Sequence, residues 1–150
     1  MNNETVRINN ETYFALVKQR LDAGDQVWIP IVGKSMLPFL RERDEVLLRT
    51  VEPAEVNVGD IVLAHWAQRY LLHRVVRKKA GCLWLAGDNN LVQLEKIVSA
   101  DLIALLVEAR RGQQPLQISS PLYKTLGMLW YYLRLPRRVI VGLKRRIKME

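Results

Sequence analysis

Residues 59–76 read GDIVLAHWAQRYLLHRVV, and this stretch decides the fold class. It holds two apolar runs, Ile61–Trp66 and Tyr70–Arg77, separated by a short reversal. Such short runs, rich in Val, Ile and aromatic residues, are typical of β-strands. The Gly59-Asp60 pair before the first run has turn chemistry. The centre of the chain is therefore predicted to be two successive β-strands.

Further runs of the same kind lie on both sides of this pair. They are Val27–Val32, Glu45–Val51, Cys82–Ala86 and Leu102–Ala109. Many short strands with turn residues between them favour an all-β body. We therefore expect coiled antiparallel β-sheet over residues 26–120.

The two ends of the chain have helical patterns. At the N-terminus, residues 10–23 predict a short helix with Asn10 as N-cap and Gly24 as stop, giving a helical segment over residues 1–25. After Pro121 the pattern predicts two short helices joined at Pro136, which make a basic amphipathic tail over residues 121–150.

The net charge of +8 is concentrated in that tail. Residues 121–150 contain eight basic side chains against Glu150 alone, so residues 1–120 hold fifteen basic and fourteen acidic ones. A nearly neutral body without a helix-turn-helix argues against a nucleic-acid partner. Trp130, Tyr131 and Tyr132 among cations predict peripheral contact of the tail with anionic membrane. The alternative is a packing helix with a solvated basic face.

Composition also bears on cofactors and compartment. Cys82 is the only cysteine, which excludes a disulfide within the chain, and one cysteine with two histidines is too few ligands for a structural zinc site. Residues 1–5 lack the pattern of a signal peptide, and no run of about 18 apolar residues occurs. We expect a cytoplasmic protein, peripheral at the inner face of the membrane.

Three segments carry candidate chemistry. The first, Gly33-Lys34-Ser35-Met36-Leu37-Pro38, follows a predicted strand, so it presents the Ser35 hydroxyl at a strand end, and Pro38 then takes the chain out of the sheet. The second is His73 within its strand, since imidazole can take the proton of a serine hydroxyl. The third is Gly87-Asp88-Asn89-Asn90, because an acid can orient an imidazole. Each segment also has a purely structural interpretation. The first can be a tight turn with a solvated serine, the second a histidine packed in the core, and the third an ordinary β-turn.

Together, over roughly residues 27–110, these segments resemble the signal peptidase and repressor-cleavage superfamily. Histidine at position 73, where common bacterial signal peptidases have lysine, resembles the Ser/His type of signal peptidase I found in archaea and the endoplasmic reticulum. The resemblance implies Ser35 as nucleophile, His73 as general base and Asp88 as the acid that orients the ring. It also implies substrate contacts at Gly33, Met36 and Pro38, and that no metal or organic cofactor is needed.

Some residues depart from the family pattern or are set aside. Lys34 points to the opposite face of the strand from Ser35, and no motif includes His65. Gly33 has no hydroxyl to bind an oxyanion, which leaves the Ser35 N–H and an unassigned second donor. The run Leu91–Glu95 gives no clear second acid. Asp44 and Asp60 are interpreted as structural turn residues, and the family's N-terminal membrane anchor is missing.

The implied function is a serine endopeptidase with a Ser/His dyad or a Ser/His/Asp triad. It would cleave a leader or signal-like peptide through a Ser35 acyl-enzyme, with small side chains before the cut. The substrate would lie as an extended peptide alongside the strand that leads to Ser35. The alternative is a catalytically inactive module on the same fold that binds peptide or membrane.

Overall fold

The structure, a computed structural model, describes residues 10–148. Two predictions concern residues outside this range: the one that residues 1–5 are not a signal peptide, and the one that counts Glu150 in the charge of the tail. Within it, none of the helices is both long and apolar enough to span a lipid bilayer.

One antiparallel sheet forms the body, with strand order β1-β2-β7-β3-β4-β5-β6 and β8 paired to β7. The sheet curls into a half-barrel, flanked by one helix at the N-terminus and two at the C-terminus, which confirms the predicted fold class. The strands are β1 Val27–Pro30, β2 Glu45–Arg49, β3 Ile61–Trp66, β4 Arg69–Lys79, β5 Cys82–Ala86, β6 Glu95–Val98, β7 Leu102–Arg111 and β8 Gln114–Leu116. The helices are α1 Asn10–Asp22, α2 Pro121–Tyr132 and α3 Arg134–Ile147.

Strands β6 and β8 have no counterpart in the predicted set. They are only four and three residues long, and their sequences, Glu-Lys-Ile-Val and Gln-Pro-Leu, lack a run of β-formers. Pairing with a longer neighbour holds each of them in place, β5 for β6 and β7 for β8. Tertiary context therefore creates these two strands, because local propensity is too weak to do so.

Both faces of the curled sheet are covered. Ile61 and Leu63 of β3 belong to the cluster that packs against α1, whereas Val62 and Ala64 belong to a second cluster on the other face. Successive side chains of a strand point to opposite faces, so a strand buried on both reads as an unbroken apolar run. That explains the continuous apolar sequence of β3. This strand pairs with β4 in the sheet and holds it in position.

Two helices at the C-terminus meet at Leu133, which ends α2 and precedes α3. The predicted joint at Pro136 is therefore wrong by three residues. Pro136 lies in the first turn of α3, where the N–H that proline lacks would have no partner within the helix. Helix α2 packs on the body, since Gly127 is buried directly against the Arg74 guanidinium and Lys124 pairs with Asp60 at 2.6 Å.

Candidate active site

Two cavities meet at Ser35 and His73. The larger, about 440 Å³, is mainly apolar. The smaller, about 260 Å³, has a lining that is about half polar and is called the polar cavity. Both include Ser35, Tyr70, Leu71 and His73 in their walls. The structure thus brings together the predicted nucleophile and base, which are far apart in the chain, at the junction of two cavities.

Ser35 follows the end of β1 and is held from two sides. Before it, the Ile31 N–H donates to the carbonyl of Asp44 at 2.7 Å, and Gly33 adopts a positive φ of 84° that turns the chain out of the strand. After it, the Ser35 carbonyl accepts from the Asn89 N–H at 2.9 Å. The serine is therefore fixed between the edge of the sheet and the loop that follows β5.

His73 lies in the middle of β4 and is only 6% exposed. Its Nδ1 is 3.0 Å from Oε2 of Glu95, a side chain that is 1% exposed. A carboxylate accepts hydrogen bonds and does not donate them, so a hydrogen bond from a neutral ring to an ionised Glu95 requires the imidazole proton on Nδ1. Nε2 is then an acceptor, which is the state that a general base requires.

The free nitrogen of the ring is directed toward Gly87. A Cβ atom built on Gly87 would lie 3.0 Å from Nε2 of His73 and 2.8 Å from the Ser35 carbonyl oxygen. Both atoms therefore adjoin the same small space, and only a glycine leaves that space open. This glycine brings the backbone of the Ser35 segment close to the base.

Strand register explains why Glu95 reaches the ring. Val75 is paired with Leu85, and Leu85 with Glu95, so these three side chains share one face of the sheet. His73 is two residues before Val75 and points to that same face. An acid on the second strand across from β4 therefore contacts the base diagonally.

Asp88 contacts Arg74 and not His73. It lies in the turn after β5, two residues beyond Ala86, which is the partner of Arg74 in the sheet. Both Asp88 oxygens accept from Arg74, Oδ1 from Nε and Oδ2 from Nη2, each at 2.8 Å. The prediction that Asp88 holds the imidazole is therefore wrong in its contact, because Arg74 occupies that carboxylate and Glu95 is the acid on the ring.

The Asp88–Arg74 pair is a buried structural link. Burial raises the pKa of Asp88 above its ordinary value, against the opposing effect of the Arg74 hydrogen bonds and charge. The same guanidinium donates to the Gly59 carbonyl at 2.9 Å, and the Trp130 indole donates to the Asp88 carbonyl at 2.8 Å. These contacts tie the loop beside Ser35 to both β3 and α2.

The three predicted substrate contacts do not all lie at the cavities beside Ser35. Met36 lines the apolar cavity and is almost fully buried. Gly33 provides the turn before Ser35. Pro38 lines a separate cavity with Arg111 and Tyr123, and it is absent from the walls of both cavities at Ser35. The structure therefore does not bring Pro38 to the candidate site.

The residues that were set aside lie elsewhere or have structural partners. Lys34 is exposed and lines neither cavity at Ser35, and His65 packs edge-on against Tyr70. Asp44 accepts two hydrogen bonds from Arg111 and one from the Arg41 N–H, and Asp60 accepts from the Asn57 N–H. These contacts agree with the structural interpretation of both aspartates.

Glu95 is the residue that the sequence reasoning missed. The four residues of β6 alternate between buried and exposed, with Glu95 and Ile97 inward and Lys96 and Val98 outward. The sequence itself, two charged residues followed by two apolar ones, does not alternate with a period of two, so it carried no local signal for this strand. Residues 10–148 contain no cluster of acidic, histidine or cysteine side chains that could hold a metal ion.

Comparison with known proteins identifies the family. A model of the family described as Peptidase S24-like matches residues 2–107, well over half of the chain. The match includes Ser35, His73 and Glu95 and ends before the C-terminal helices. A search of curated proteins gave no match. The chain therefore belongs to the Peptidase S24-like family, a serine peptidase family within the signal peptidase and repressor-cleavage superfamily.

Proposed function

We propose that this chain is a serine endopeptidase in which Ser35 is the nucleophile, His73 the general base and Glu95 the acid that orients the ring. The observation that carries this assignment is the position of the His73 imidazole. One ring nitrogen contacts the buried Glu95 carboxylate, and the other adjoins the space next to the Ser35 backbone. This is the order of parts in a nucleophile–base–acid triad.

The chemistry follows from that order. Nε2 of His73 takes the proton of Ser35 Oγ as the oxygen attacks the scissile carbonyl carbon, and Glu95 stabilises the imidazolium that forms. The imidazolium then gives its proton to the leaving amine, so the peptide bond breaks and an acyl-enzyme remains. Water, activated by the same nitrogen, hydrolyses the ester and restores Ser35. The Ser35 N–H is the proposed first donor to the oxyanion.

The substrate side of the proposal rests on β1 and the apolar cavity. β1 is an edge strand, and among residues 10–148 it pairs only with β2, so a peptide strand added to its other edge is the proposed binding mode. The cavity beside it is lined by Ile29, Ile31, Met36 and Leu63. Apolar walls next to Ser35 suit small apolar side chains before the cut, so we propose a leader or signal-like peptide as substrate, as in the Ser/His type of signal peptidase.

The C-terminal helices support a location at the inner membrane surface, as a cytoplasmic protein with peripheral contact. Large apolar side chains are exposed along α3, while its last turn carries Lys144, Arg145 and Arg146. The exposed apolar side chains of α3 are Leu135, Val139, Ile140, Val141, Leu143 and Ile147. An amphipathic helix of this kind lies in the interface of anionic lipid.

A serine-reactive fluorophosphonate probe, read by intact mass, tests the catalytic assignment. Wild type and the exposed-serine control Ser99→Ala should each gain one probe adduct, whereas Ser35→Ala and His73→Ala should gain none. The same four proteins are then incubated with a peptide library derived from a whole proteome. Cleavage by wild type and the control alone supports the proposal. An adduct on Ser35→Ala contradicts it, and neither adduct nor cleavage with wild type favours the inactive binding module.

A further inference from the structure

The second cavity at Ser35 differs in chemistry from the first. Besides the residues that the two cavities share, it is lined by Arg69, Asn90, Gln93 and Glu95. Glu95 is buried and engaged by His73, so the groups available to a ligand are a cation and two amides. Ser35 and His73 belong to both cavities, so a peptide bound at Ser35 can contact the apolar cavity and the polar one.

Arg69 is the charged group of this polar cavity. It is the first residue of β4, it is exposed, and its guanidinium carbon lies 5.7 Å from the centre of the Trp66 ring. None of the ion pairs within residues 10–148 includes it. A guanidinium held over an aromatic ring and open to a cavity can still bind a carboxylate in a bidentate manner.

The direction of the peptide follows from the proposed chemistry. The part before the cut lies along β1 and the apolar cavity, so the amine that leaves, and the residues attached to it, lie on the other side of Ser35. His73 must reach that amine to protonate it, and His73 lines both cavities. With the part before the cut in the apolar cavity, the cavity that remains for the residues after the cut is the one that contains Arg69.

We propose that Arg69 makes this peptidase prefer an acidic side chain at one of the first two positions after the cut, with Asn90 and Gln93 as amide partners. The inference rests on the proposed function and adds its substrate class. Since Arg69 is exposed, water screens the contact, and we expect a preference of about two- to fivefold rather than an absolute requirement.

Peptides that differ only after the cut test the assignment. A sequence that wild type cleaves in the proteome-derived library is synthesised with Glu, Gln or Lys at the first, and separately at the second, position after the cut. The value of kcat/KM is measured for wild type, Arg69→Gln and Arg69→Glu. Lys79→Glu is the matched control, with the same charge reversal at the far, exposed end of β4.

The expected order for wild type and the control at one of the two positions is Glu, then Gln, then Lys. Arg69→Gln should remove the preference, and Arg69→Glu should reverse it toward Lys. A preference that is absent in wild type at both positions, or unchanged in Arg69→Glu, overturns the inference while leaving the peptidase assignment in place. Absence of Ser35-dependent cleavage in the library overturns both.

Discussion

Oε2 of Glu95 lies 3.0 Å from Nδ1 of His73, and both side chains are almost wholly buried. A buried acid next to an imidazole holds the ring in one orientation and favours the imidazolium when it forms, because little water competes for the contact. The same contact leaves Nε2 directed toward the Ser35 segment. The relationship between these two residues therefore separates the acid proposed for catalysis, Glu95, from Asp88, which pairs with Arg74.

Replacing Glu95 tests the catalytic side of this separation. In Glu95→Gln the amide can donate to the ring as well as accept, so the imidazole loses its preference for a proton on Nδ1. We expect kcat for a cleaved library peptide to fall by up to about 10⁴-fold, the loss seen when the aspartate of a Ser-His-Asp triad is replaced by asparagine. Circular dichroism should show a folded protein. Activity within threefold of wild type would remove Glu95 from the mechanism.

Replacing Asp88 tests the structural side. Asp88→Asn leaves the Arg74 guanidinium buried without its counter-charge, so the free energy of unfolding should fall by about 3–5 kcal/mol in urea titrations. The double variant Arg74→Met with Asp88→Leu should recover part of that loss, since it removes both buried charges. Below the unfolding transition, Asp88→Asn should retain more activity than Glu95→Gln. The reverse order of activities would return the orienting role to Asp88.

Gly87 allows the close approach of the Ser35 segment to the base. In Gly87→Ala the new methyl would lie 2.8 Å from the Ser35 carbonyl oxygen and 3.0 Å from Nε2 of His73, so the serine segment must shift. We expect the rate of probe labelling to fall by about tenfold or more, because misplacement by about 1 Å can cost 10²-fold. Gly142→Ala is the control, since its methyl meets open space on α3. Equal labelling rates for the two variants would contradict this account.

Asp44 gives a pH dependence with a defined sign. Burial acts to raise the pKa of Asp44, but the Arg111 hydrogen bonds and charge and the Arg41 N–H outweigh it, so the pKa lies below its ordinary value. A depressed pKa contributes stability above the unfolded-state value of about 3.9, and this contribution is lost as the pH falls through the folded-state pKa.

Asp44→Asn should therefore lower Tm at pH 7, and the difference from wild type should shrink as the pH drops below about 4. Asp25→Asn is the control, because Asp25 is exposed and its ion pair with Arg20, at 3.7 Å, is exposed as well. It should change Tm little at either pH. A Tm difference for Asp44→Asn that is constant between pH 7 and pH 3 would show that its ionisation is not coupled to folding.

The apolar face of α3 is the part of the tail to test for membrane contact. Deleting residues 121–150 would also remove the α2 contacts with Arg74 and Asp60, so point variants are cleaner. Leu143→Glu and Ile147→Glu change exposed side chains and should reduce sedimentation with phosphatidylserine vesicles by about tenfold. Val92→Glu, an equally exposed position in the body, should not. Undiminished binding of the α3 variants would exclude this face as the lipid contact.

Local pattern was enough for most of the fold and for two members of the site. The apolar runs of β3 and β5 predict those strands to the residue, because strand propensity and flanking turns act over a few neighbouring positions. The segment Gly33–Pro38 around Ser35 and a histidine within a strand can likewise be seen in the local sequence. The family match over residues 2–107 covers both. The short strands β6 and β8 could not be predicted in this way, since their pairing partners determine them.

The sequence by itself determined the curled antiparallel body, its flanking helices, and Ser35 and His73 as the residues to examine. Only the tertiary structure decided which acid contacts the His73 ring. The Gly-Asp-Asn-Asn turn makes Asp88 conspicuous, yet this turn places its carboxylate against Arg74, and register places Glu95, from an unpredicted strand, against the ring. Side chains alternate between faces with a period of two, so the answer depends on the register of β4, β5 and β6 together.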